Sequence, residues 1–165
     1  MLKRTGTHGY TRSIRPSVHA LISVLALTGL VACSDDTDPD APKTEGVLEV
    51  DTGQCLLVDE ALGAEVSKLP VIECDKPHSH EIFATVENTT EVYPGLTALE
   101  TFAERECYGD FEGFVGISPF DSSLFITWMV PSLDGWNDED DRTVLCILGR
   151  KDGGQLQTTA KGLDV

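Results

Sequence analysis

His78 and His80 stand two residues apart in Pro77-His78-Ser79-His80-Glu81. At the start of a strand, this spacing turns both rings to one face, where they can chelate Cu(II) or Zn(II). Asp75 or Glu81 can add a carboxylate. The structural alternative has His78 holding the Cys74–Pro77 turn through a ring hydrogen bond, with His80 exposed on the strand. Alternation sends Ser79 to the opposite face, away from either base. There is no Gly-x-Ser-x-Gly elbow, so a hydrolase would have to work through His78. A second concentration of ligand chemistry lies in Ser132–Asp141, where Asp134, Asn137, Asp138, Glu139, Asp140 and Asp141 crowd ten residues. Calcium takes six to eight oxygens in flexible geometry, although the order here is not that of an EF-hand. Within this run Trp136 either folds down as an anchor or is presented as an interaction hot spot. Arg142 pairs with a neighbouring carboxylate or receives an anionic ligand. The expected catalytic set and cofactor are none; the weak metal candidates are His78, His80, Asp134, Asp138 and Asp140.

Five cysteines complete the reactive inventory. Cys33 ends Leu30-Val31-Ala32-Cys33, which matches the lipobox of bacterial lipoprotein precursors. By that resemblance its sulfur receives a diacylglycerol and it becomes the mature first residue. Upstream, residues 1–32 carry Lys3, Arg4, Arg12 and Arg15 and no acid, and an apolar run from Ala20 to Val31 follows. A basic start before a short apolar run is the layout of a secretory signal. The run is too short to span a bilayer as a helix, and two acyl chains suffice for stable anchoring. The expected location is therefore the extracytoplasmic face of the cell membrane.

The other four cysteines are Cys55, Cys74, Cys107 and Cys146. An even number in an exported domain reads as disulfides, with three possible pairings. No Cys-x-x-Cys pair exists, which argues against a zinc ribbon or a thioredoxin-like site. Cys55 and Cys74 flank a short polar excursion and can meet on neighbouring strands. Cys107 falls on a helical stripe and Cys146 inside a strand. Local structure thus favours Cys55–Cys74 and Cys107–Cys146.

These residues need a scaffold. The 165-residue chain has 12 Lys+Arg against 28 Asp+Glu, a formal charge of −16. Such acidity argues against nucleic acid, whose binders show basic patches. Residues 33–46 hold five carboxylates and two prolines and read as a disordered acidic tether after the acylated Cys33. The folded part is then 47–165. Within it Gln54–Asp59, Leu69–Cys74, Glu81–Glu87, Phe125–Val130 and Val144–Leu148 have strand character. Lys151–Gly154 suits a hairpin turn into Gln155–Thr159. Between them Leu99, Ala103, Cys107 and Phe111 recur every four residues, predicting a helix from about Thr97 to Phe111. Thr97 and Glu100 suit a capping box, and Gly109 and Gly113 weaken or end the helix. The expectation is an α+β fold: a single small domain whose antiparallel sheet carries one main helix, stapled by two disulfides.

The segments Gly53-Gln54-Cys55-Leu56 and Cys74-Asp75-Lys76-Pro77-His78-Ser79-His80-Glu81-Ile82-Phe83 resemble the septum-formation domain family. Cys-x-x-Pro-His-x-x-Glu is the most specific piece. Tyr93-Pro94-Gly95, Cys107, Pro131, Trp136, Arg142 and Cys146 stand where the family has its later landmarks. The resemblance covers about residues 53–163. It departs at Gln54, where the family usually has Asp, and at Asp140-Asp141, where it often has Gly-Asp. It implies an envelope protein of actinobacterial type linked to the division septum, with no established enzyme chemistry. The resulting expectation is a lipid-anchored, non-enzymatic interaction module whose partner is an envelope or division protein or a wall component. The alternatives are a Ca(II)- or transition-metal-responsive surface domain and a hydrolase using His78.

Overall fold

A computed structural model describes residues 38, 40–58 and 66–165. The signal segment, Cys33, most of the tether and the Asp59 end of the first predicted strand lie outside the described residues.

Six strands form one antiparallel sheet: β1 (Lys43–Gly46), β2 (Cys55–Leu56), β3 (Lys68–Ile72), β4 (His80–Glu87), β5 (Leu124–Met129) and β6 (Thr143–Arg150), in the spatial order β1-β3-β2-β4-β6-β5. The apolar run Val144–Leu148 forms the middle of β6. It lies between β4 and β5 and is buried throughout, as a strand covered on both faces must be. Helix α1 (Leu96–Val115) packs on one face. Its stripe of Leu99, Ala103, Cys107, Phe111, Phe114 and Val115 is buried. Phe111 and Phe114 meet Phe83 of β4 at ring-centroid distances of 5.6 and 6.2 Å. A smaller core of Val50, Leu56, Leu69, Ile82, Leu145 and Ile147 lies apart from the helix-bearing one. Alternation along β6 places Leu145 and Ile147 on the sheet face opposite Val144, Cys146 and Leu148.

Disulfides join Cys55 to Cys74 and Cys107 to Cys146. The first ties β2 to the turn after β3. The second staples the centre of α1 to the central strand.

Several local expectations are corrected. Lys43–Gly46, assigned to the tether, pairs with Val71–Lys68 as the edge strand β1; backbone pairing overrides the polar composition. The helix starts at Leu96 with Gly95 as N-cap and no side-chain cap, so the Thr97–Glu100 capping box does not form. It runs through Gly109 and Gly113, which sit on its exposed side, and ends at Gly116, whose φ of 99° suits glycine. Gln155–Thr159 is not a strand. Leu156 makes a single bridge to His78 instead. The acidic run Ser132–Asp141 contains a short helix α2 (Leu133–Asp138), where the Ser132 hydroxyl accepts from the Gly135 N–H.

Candidate functional site

The Cys-x-x-Pro-His-x-x-Glu segment runs from the turn after β3 into the start of β4, and two of its side chains, His78 and Glu81, turn inward while Asp75 and Pro77 stay exposed. His78 is fully buried. Its Nδ1 lies 2.8 Å from the Lys76 carbonyl, which fixes that nitrogen as the N–H donor, and Nε2 has no partner among the described residues. Its backbone exchanges two hydrogen bonds with Leu156. Glu81 is fully buried as well. Its carboxylate accepts from the Thr159 hydroxyl at 2.5 Å and the Ala160 N–H at 2.6 Å. Together, His78 and Glu81 fasten the segment Leu156–Ala160 to the sheet. A buried carboxylate needs such donors, because ionic groups left bare in a core are costly.

His80 serves a different neighbourhood. Its Nδ1 is 2.9 Å from the Ser79 hydroxyl, and its ring meets Phe125 edge-on at 5.8 Å. Ser79 is thus not turned away from a base, contrary to simple alternation. Its hydroxyl already donates to the Leu56 carbonyl and accepts from the Val58 N–H, so His80 meets it as a donor. That arrangement orients a loop and does not activate a nucleophile. Both rings close over Gly149, where an added Cβ would lie 2.7 Å from Phe125 Cζ and 3.2 Å from His80 Cδ2. Burial pushes the His80 pKa below its ordinary value.

His78 and His80 therefore do not converge on one ligand position with Asp75 or Glu81. Among the described residues, one trio of His, Cys, Asp or Glu brings its ligand atoms within 4.8 Å of one another: Cys55, Cys74 and Glu81. Its two sulfurs are bonded to each other, which leaves the carboxylate alone. Asp134, Asp138 and Asp140 form no such group.

The second cluster gathers the later landmarks. Trp136 is 2% exposed, so it is an anchor and is not presented to a partner. Its Nε1 donates to the Glu91 carbonyl at 3.4 Å, and its ring meets Tyr93 edge-on at 5.6 Å. Arg142 lies over the indole at 4.0 Å and pairs with Asp140 at 3.0 Å. It also donates to the Trp136 and Asp141 carbonyls at 2.8 and 3.0 Å. Asp141 in turn accepts from the Thr143 N–H at 2.9 Å. Burial raises the pKa of its carboxyl above the ordinary value, against the opposing pull of that N–H and of Arg142.

Beside this anchored loop lies a cleft of about 460 Å³. Its apolar lining includes Val47, Leu48, Val66, Met129 and Leu145. Residues Asp134, Asp138, Glu139 and Asp141 line it with carboxylates. This size is within the range of ligand pockets. Sequence reasoning singled out these acids for calcium and missed the apolar wall. Its one legible sign was the alternation that places Met129 and Leu145 on the face away from α1.

No helix among the described residues is long and apolar enough to cross a membrane. Neither the curated proteins nor the solved structures searched give a match. A family model does: the one described as septum formation matches residues 52–164, a span that includes all four domain cysteines, the His78–Glu81 clasp and the Trp136–Arg142 cluster. The chain belongs to the septum formation family, and that membership supports a role related to the division septum.

Proposed function

We propose that the protein is a lipid-anchored, non-catalytic binding module on the extracytoplasmic face of the cell membrane, acting in septum or envelope assembly through a protein or wall partner. The observation that carries this reading is where the family's landmark side chains end. Cys74, His78, Glu81, Trp136 and Arg142 all terminate in bonds or packing inside the domain. They build a rigid body and leave recognition to its surface. A hydrolytic role for His78 would require a substrate to reach a fully buried ring. The anchor rests on the order of basic start, apolar run, Leu30-Val31-Ala32-Cys33 and acidic tether.

The test has two arms. Cells fed an alkyne-tagged fatty acid should label the wild-type chain and not Cys33→Ala. A fluorescent fusion of the full chain should concentrate at division septa. Label persisting on Cys33→Ala removes the anchor, and uniform fluorescence around the envelope removes the septal assignment.

A further inference from the structure

The cleft beside α2 has two chemically distinct parts. Leu48, Met129 and Leu145 give it an apolar wall, and Asp134, Asp138 and Glu139 give it an acidic rim. Leu48 is 49% exposed and Leu145 only 2%, so the wall grades from core to solvent. No Lys, Arg or His is among the described residues that line it. Two cations neighbour lining residues in sequence: Lys68 follows Ser67 on the side of the apolar wall, and Arg142, the one nearest the acidic rim, is bound to Asp140 and to the Trp136 and Asp141 carbonyls, so Arg142 is committed away from Asp134, Asp138 and Glu139. The body of the cleft is held in place from behind. Ser132 caps α2, Trp136 is locked under Arg142, and Asp141 holds the Thr143 N–H. Such a surface is preorganised, which lowers the ordering cost of binding.

We infer that this cleft docks a basic, apolar segment of a partner protein, in which Lys or Arg side chains meet the Asp134–Asp138–Glu139 rim while an intervening apolar side chain packs on Leu48 and Met129. Charge complementarity selects this occupant over a second copy of the chain. At a formal −16, two copies repel each other, whereas a cationic segment is drawn in and steered by the same field. The apolar wall selects it over a free polyamine, which would leave Leu48 and Met129 in water. The inference rests on the reading of the protein as a binding module and is independent of the Cys33 anchor.

The probe is a fluorescein-labelled pentapeptide alternating lysine with leucine and valine, titrated by anisotropy against the full-length chain in neutral detergent. Two counterparts carry glutamate for lysine, or serine for the apolar residues. The lysine–apolar peptide should bind about tenfold more tightly than either, since both contributions are lost separately. The triple substitution Asp134→Asn, Asp138→Asn, Glu139→Gln should weaken it about tenfold, as expected for a few partly screened ion pairs. Leu48→Ser should weaken it about fivefold through lost apolar burial. Leu48 is half-exposed, so this variant still decides the matter if the triple one fails to fold. A charge-matched triple on exposed positions of α1 (Glu100→Gln, Glu104→Gln, Asp110→Asn) should change nothing. The inference is overturned if the α1 triple weakens binding as much as the cleft triple. It is equally overturned if the serine peptide binds as well, or if the lysine–apolar peptide does not bind. Any of these with Cys33 labelling and septal fluorescence intact removes the cleft assignment and leaves the proposed function standing.

Discussion

The guanidinium of Arg142 sits 4.0 Å from the centre of the Trp136 ring and also donates to the Trp136 carbonyl at 2.8 Å. One side chain thus holds both the face of the indole and the backbone that carries it. The partner ring, Tyr93, closes the indole from another direction. Arg142→Met removes the charge and the planar donors while keeping an apolar cover. It should cost about 1–3 kcal/mol, from one cation–π contact and two charge-assisted hydrogen bonds. Arg142→Lys should recover little, because an ammonium cannot stack and bond in the same geometry. Urea denaturation of the three proteins reads this directly. A lysine variant as stable as wild type would show that charge alone is used.

Glu81 and Thr159 are 78 residues apart in sequence and in hydrogen-bond contact. Glu81→Ala should leave the Ala160 N–H and the Thr159 hydroxyl without their acceptor, at about 2–4 kcal/mol for one buried bond to the backbone and one partly buried bond to a hydroxyl. The loss should be local first. Amide exchange of residues 156–162 should quicken before that of β4 or β6. Uniform acceleration across the sheet would contradict a clasp confined to that segment.

The two disulfides close loops of 19 and 39 residues. In the chain-entropy model they stabilise by about 3 and about 4 kcal/mol respectively. Cys107→Ala with Cys146→Ala should therefore lower the urea midpoint more than Cys55→Ala with Cys74→Ala. The core pair also loses packing between α1 and β6, which adds to the difference. The reverse order would mean that native-state packing around Cys55 outweighs loop length.

His80 is expected to make stability depend on pH. Burial holds its folded-state pKa below the ordinary value of 6.5. Below pH 6.5 the unfolded chain therefore binds a proton that the folded chain resists. The contribution of the neutral ring is fully present above 6.5 and is lost as pH falls toward the folded-state pKa. Unfolding free energies compared at pH 7.5 and pH 5.5 should decline for wild type and decline less for His80→Gln. Equal slopes would assign the decline to other groups.

The parts of this fold with a strong period were legible. Leu99, Ala103, Cys107 and Phe111 announce the buried face of α1, and Val144–Leu148 announces a strand covered on both sides. Its ends were not, because Gly109 and Gly113 cost little on the solvent side of a helix whose other side is packed. Lys43–Gly46 was hidden by its composition, since an edge strand needs backbone partners more than apolar side chains. Gln155–Thr159 looked like a hairpin return, yet Leu156 serves His78 and Thr159 serves Glu81. Glu81, by residue type and by its place beside His80, reads in the sequence as an optional metal ligand. The signal against that was present, because strand alternation puts position 81 on the same face as Phe83, which packs into the core under α1. The acidic run around Trp136 suggested ligands by residue type. It did not reveal that Asp141 and Arg142 act on the loop's own backbone, because those contacts depend on the turn of α2.

The donors that Glu81 requires come from residues 159 and 160, while the carboxylate itself sits near the middle of the chain. Translation therefore places the acceptor long before the groups that satisfy it. A product terminated before position 159 would lack both donors to a carboxylate that the finished domain buries on β4, between β2 and β6. The same bonds that secure the finished domain thus make the interior of the sheet depend on residues that follow its last strand.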